Sequence, residues 1–186
     1  MVKDNYRIDL IRQMAECDAN YIRLLKLLPN LMAFREKLFD SVGEERLRTG
    51  SANRGDCPDS ECEELLGDVM EFSIAGSGAD ANEISVTIKV VESFRYTTTL
   101  EITQQPDSQD YLMNPSLTVR VYHDASTAEV TSYQGHANLK PNYPQPNPQM
   151  YHRDEKVQVN RFLGEWLSLC LEAGRSMRVP NLIYST

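Results

Sequence analysis

Apolar residues recur at helical spacing near the start of the chain, where Ile11, Met14, Ala15, Tyr21, Ile22, Leu25 and Leu28 predict an amphipathic helix from about Tyr6 to Leu28. Pro29 interrupts the pattern, and Leu31, Phe34 and Leu38 resume it in a shorter second helix with Asn30 as its N-cap. The other face of the first helix is polar, so the helix packs against something rather than standing alone. From Ser41 to about Glu61 the periodicity stops, and the stretch is rich in Gly, Ser, Asn, Asp and charge. It reads as a flexible insert, followed by a helical turn around Glu61 to Leu66.

Alternation with a period of two then takes over. Met70, Phe72 and Ile74 form a first strand, and Ile84, Val86, Ile88 and Val90 a second. Phe94, Tyr96, Thr98, Leu100 and Ile102 predict a third, against Arg95, Thr97, Thr99 and Glu101 on the opposite face. Leu117, Val119 and Val121 make a fourth, and Ala128 and Val130 a fifth. Short links between such strands describe an antiparallel meander with one buried face. Lys140 to Gln149 is proline-rich and reads as an extended connector. The last helix runs from about Arg153 to Ala173, with Val159, Phe162, Leu163, Trp166, Leu167, Cys170 and Leu171 as its stripe and Gly174 as its stop. The expected fold class is α+β: two N-terminal helices, a five-stranded antiparallel meander sheet, and a C-terminal helix packed on the sheet.

A chain of 186 residues is most simply one domain, here expected over 1–186 with the insert at 41–61 and the connector at 140–149 as irregular parts. Its net charge of −8 argues against nucleic-acid binding, which needs a surplus of lysine and arginine on one face. No apolar run is long enough to span a bilayer, and the N-terminus lacks the apolar core of a secretory signal. A cytoplasmic protein without membrane association is expected. Cys17 and Cys170 fall on apolar helical stripes, whereas Cys57 and Cys62 form a C-x4-C pair with no second pair nearby. That spacing does not suit a structural zinc site, so reduced thiols and no metal are expected.

The chain lacks a phosphate loop, a dinucleotide fingerprint, a nucleophile elbow and a zinc-protease motif. Two polar clusters remain. Tyr122, His123 and Asp124 stand where the fourth strand enters its turn, and His152, Arg153, Asp154, Glu155 and Lys156 where the last helix begins. Brought together, they would supply imidazole and carboxylate groups for a metal or for acid–base work. The structural alternative is equally concrete: His123 continues the inward register of Leu117, Val119 and Val121, Asp124 opens a turn, and Asp154 and Glu155 are first-turn acids. A third feature is the pair Arg95 and Arg120, with Thr97, Thr99, Glu101, Thr118 and Tyr122 about them. On one sheet face they either cradle an anion or form cross-strand ion pairs in solvent.

At Val91 to Ile102, Ser116 to Val130 and His152 to Gly174 the chain resembles the YqiB-like family, small bacterial proteins of unknown function. Leu27 to Pro29, Tyr143 and Pro144 also fit. The resemblance implies a cytoplasmic bacterial protein without an assigned activity, cofactor or catalytic residue. Members are often encoded near nucleotide-hydrolysing enzymes, which is association and not mechanism. The positions matching the family's motifs are Glu92, Arg95, Tyr96, Arg120, Tyr122, His123, Asp124, Arg153, Asp154, Glu155, Lys156, Asn160 and Trp166.

Three functional expectations follow. The first is a non-enzymatic binding or regulatory module that holds a protein segment or small anionic ligand through Arg95, Tyr96, Arg120, Tyr122, His123, Asp124, His152, Arg153, Asp154 and Lys156. The second is a metal-assisted phosphoester or nucleotide hydrolase using His123, Asp124, His152 and Asp154. The third is a partner-stabilised subunit docking through Leu24, Leu25 and Leu28.

Overall fold

The computed structural model describes residues 9–49, 65–74, 84–106, 115–135 and 154–176, with the backbone alone at 41–49, 106 and 176. Helix α1 spans Leu10–Leu27, and Asp9 caps it by accepting a hydrogen bond from the Arg12 N–H (3.1 Å). Helix α2 spans Pro29–Thr49. Pro29 fits at the start of a helix, where its missing N–H has no intrahelical partner to lose. Asn30 therefore lies inside α2 and not at its cap, and its Nδ2 donates to Asp68 Oδ2 (2.8 Å).

Strands β1 (Val69–Ile74), β2 (Ile84–Phe94), β3 (Thr97–Pro106), β4 (Ser116–Tyr122) and β5 (Thr127–Tyr133) form the expected meander. Helix α3 (Glu155–Ala173) follows, and then β6 (Gly174–Ser176). All pairs are antiparallel in the order β5-β4-β3-β2-β1-β6, so among the described residues the sheet has six strands and not five. Gly174 does end α3, its N–H bonding to Cys170 O, but in extended backbone that leads straight into the sixth strand.

The inner face of the sheet carries Phe72, Val86, Ile88, Leu100, Ile102, Leu117, Val119 and Val130, packed against Tyr21, Leu24, Leu25, Leu28, Leu31, Phe34, Leu163, Trp166 and Leu167. Each large apolar side chain so buried contributes roughly 1.5–3 kcal/mol. Leu24, Leu25 and Leu28 are core residues, which removes them as a docking surface. Conversely Ile11, Met14 and Ile22, expected on the buried stripe, are exposed.

Two further readings are corrected. Helix α2 continues to Thr49, so the expected insert does not begin at Ser41; its remainder, with Cys57 and Cys62, and the connector at 140–149 lie outside the described residues. Phe94 and Tyr96 do not alternate inward. A register shift between Val90 and Glu92 inserts Val91 as a bulge, β2 runs on to Phe94, and Arg95 and Tyr96 form the turn. Among the described residues, no helix is long and apolar enough to cross a membrane.

Candidate functional site

In a meander, alternate turns fall at the same end of the sheet, so the β2–β3 turn (Arg95, Tyr96) and the β4–β5 turn (His123 to Ser126) are neighbours. The His123 N–H joins them by donating to Tyr96 O (2.9 Å). Most of the candidate residues collect at this end, on two sides of the sheet.

The solvent side is aromatic and cationic at its tip. Phe94 is 61% and Tyr96 42% exposed, and the Arg95 guanidinium lies over the Tyr96 ring, 5.2 Å from its centroid. Arg95 stands in the turn and not in the row of Thr97, Thr99 and Glu101, as the alternation had suggested. Arg120 is exposed on the outer face, opposite Thr99 on β3 and Glu129 on β5. Thr99 donates through its hydroxyl to Glu92 Oε2 (2.9 Å).

Glu129 joins the two sequence clusters. Its Oε1 accepts from the Tyr122 hydroxyl (3.2 Å), and its Oε2 pairs with Lys156 Nζ (2.6 Å) from the first turn of α3. Burial raises the Tyr122 phenol above its ordinary pKa, with Glu129 adding to the effect and Arg120 opposing it. Asp154 sits at the N-cap without a capping hydrogen bond and instead accepts from Gln158 Nε2 (2.9 Å). Asp124 is exposed in its turn. His152 and Arg153 lie outside the described residues.

His123 faces the other way. It is fully buried, its Nε2 lies 2.9 Å from Thr98 Oγ1, and its ring meets Tyr21 and Phe34 edge-on at 6.1 and 5.5 Å. Burial pushes its pKa down from 6.5 to about 4, and the charge of Arg35 pushes the same way, against a smaller pull from Asp124. A neutral imidazole enclosed in this way is poorly placed to ligate a metal or exchange protons with a substrate. Among the described residues, no three His, Cys, Asp or Glu side chains converge as a metal set.

Sequence reasoning passed over several polar residues around His123. Tyr21, Arg35, Ser93 and His123 each hold one buried polar atom without a hydrogen-bond partner (Oη, Nε, Oγ and Nδ1). Ser93 and Thr98 are register partners, Thr98 contacts His123, His123 contacts Tyr21, and Arg35 lies over Tyr21, so the four occupy one neighbourhood. The visible signal was Arg35 beside the stripe residue Phe34, a charge next to a buried position.

Elsewhere, α1 and α3 bound an open polar groove of about 560 Å³ over Gly164, lined by the ion pairs Arg23–Glu16 (2.9 Å) and Arg161–Glu165 (3.0 Å). Its cations already have partners.

The chain belongs to the family described as "Protein of unknown function (DUF1249)", whose model matches residues 62–176 and so takes in the sheet, its turns and the last helix. Over 175 residues it is 33% identical to the uncharacterized protein YqiB of Escherichia coli strain K12, covering 94% of this chain and 96% of that protein. The YqiB proteins of E. coli O6:H1 and O157:H7 match to the same extent. The resemblance carried by the strand and helix motifs is thus confirmed over nearly the whole chain. No solved structure matches it significantly.

Proposed function

We propose that the chain is a cytoplasmic, non-enzymatic binding module that holds an acidic protein segment against the outer end of its sheet. The observation that carries this reading is the tip of the β2–β3 hairpin, where the Arg95 guanidinium rests on the exposed Tyr96 ring beside exposed Phe94. Arginine and large aromatic side chains are the types that dominate binding energy at protein interfaces, because they offer area, planarity and charge together. Arg120 and Tyr122 extend the patch along β4. In a chain of net charge −8, a local cationic and aromatic spot selects an acidic segment while the remaining surface repels unselected ones. A strand face is a flat support, suited to an extended chain; small ligands favour concave pockets. The hydrolase alternative loses His123 to the core.

Affinity capture with the wild type and an Arg95→Ala/Arg120→Ala variant tests the reading. A partner retained by the wild type, released by salt and lost at least about tenfold by the variant is expected. Equal capture by the two baits sinks it.

A further inference from the structure

We propose that Arg35, Tyr21 and Ser126 form a site for a small oxyanion, a phosphate or carboxylate group, where α1 and α2 meet the β4–β5 turn. This is independent of the outer hairpin patch, since it lies on the helix side of the sheet.

The first support is the state of Arg35. Its guanidinium carbon lies over two rings, 5.1 Å from the Phe39 centroid and 5.9 Å from that of Tyr21. It is half-buried, and no carboxylate among the described residues pairs with it. Other part-buried cations behave differently: Arg23 pairs with Glu16 at 2.9 Å and Lys156 with Glu129 at 2.6 Å. A half-buried cation without a counter-charge is poorly compensated and attracts an anion.

The second support is the company it keeps. Tyr21 and His123 are fully buried, and Tyr21 Oη, His123 Nδ1, Arg35 Nε and Ser93 Oγ are covered without a hydrogen-bond partner. Among the described residues one other buried side-chain atom, Gln13 Oε1, shares that condition. Buried polar groups are ordinarily paired, so four together are a local departure from the paired interior of the described residues. Burial raises the Tyr21 phenol above its ordinary pKa, and Arg35, by its charge and as a hydrogen-bonding neighbour, and Ser126, as a second such neighbour, oppose the rise. Ser126 is held at φ 53°, a left-handed backbone that a serine adopts at a cost.

The chemistry defines the ligand class. Guanidinium N–H, phenol O–H and serine O–H are donors, and the guanidinium presents parallel N–H groups that fit two oxygens of one anion. The charge of Arg35 lowers the His123 pKa by more than the exposed Asp124 raises it, so the cation lies near enough for His123 to report on it. An oxyanion bound at part-buried Arg35 would find the Tyr21 and Ser126 hydroxyls beside it as further donors.

The test is an NMR titration of the full chain with inorganic phosphate, and separately with acetate, at fixed pH and ionic strength. The expected result is a saturable shift of the Arg35 and His123 side-chain signals. The His123 pKa should rise on binding, because the anion offsets the Arg35 charge that holds it down. Arg35→Gln should weaken binding at least about tenfold and Tyr21→Phe by a smaller factor, while Arg95→Ala/Arg120→Ala leaves it unchanged. A response to phosphate alone assigns a phosphoryl group; a response to acetate also extends the site to carboxylates. No saturable response to either anion, or one that survives Arg35→Gln, overturns the proposal. Should Arg35→Gln fail to fold, Arg35→Lys keeps the charge but lacks the paired N–H groups, and undiminished affinity there overturns it equally.

Discussion

Asn160 of α3 accepts the Val130 backbone N–H on edge strand β5 through Oδ1 (2.9 Å), at a position only 1% exposed. Its Nδ2 donates to Lys156 O (2.8 Å), and its own carbonyl accepts from Asn20 Nδ2 of α1 (2.9 Å). Asn160 thus fastens α3 to the rim of the sheet through its side-chain amide and holds α1 through its backbone carbonyl. It also occupies an edge donor that an incoming strand would otherwise use.

Asn160→Ala should therefore leave the Val130 N–H buried and unpaired, lowering stability by about 1–3 kcal/mol. Urea unfolding checks the magnitude. Faster hydrogen exchange at Val130 than at its neighbours would trace the loss to this bond.

His123 predicts a pH dependence. Its folded pKa, about 4, lies below the unfolded 6.5, so the unfolded chain binds the proton first as pH falls. The contribution is complete above 6.5 and is lost progressively as pH drops toward 4, reaching about 3 kcal/mol. Urea midpoints between pH 4 and 7 should rise with pH, and His123→Leu should flatten that component of the slope.

Gly164 lets α1 and α3 approach. A Cβ there would meet Glu16 Oε1 and lie 2.9 Å from both Arg23 Nη1 and Asn20 Oδ1. The Glu16 and Arg23 ends can move, but buried Asn20 is tied to Asn160. Gly164→Ala should thus lower the melting temperature despite the ~1 kcal/mol that alanine gains over glycine in a helix. Unchanged or raised thermal stability would show that the helices yield freely.

Cys17 and Cys170 are buried, and burial pushes both thiols up to about 11. The thiolate is the reactive form, so neither should be alkylated at neutral pH in the folded chain. Mass-spectrometric mapping of iodoacetamide labelling should find both unmodified in the native protein and both modified in denaturant.

The meander was legible in the sequence because its strands alternate cleanly, and the inward register of Leu117, Val119 and Val121 correctly carried His123 into the core. What defeated the pattern was local. The single extra residue Val91 ended the alternation, misplacing Phe94, Arg95 and Tyr96. Strand β6, at three residues, is too short to show a period. Helix α2 outlasts its apolar stripe, so its later turns carried no amphipathic signal. The candidate site was half legible: Tyr122 and Lys156 do meet, but through Glu129, which neither cluster contained. Arg35 became visible only once folding laid it against Tyr21.

The pairing of β6 with β1 has a consequence for how the chain assembles. Strands β1 to β5 each pair with a strand adjacent in sequence, and such neighbours meet early and locally. β6 returns only after α3, from the far end of the described chain, to lie against Phe72, Ser73 and Ile74. During synthesis the outer side of β1 thus waits for a strand that the ribosome has yet to deliver. In that interval the outer edge of β1 is open to pairing with another copy or to shielding by a chaperone.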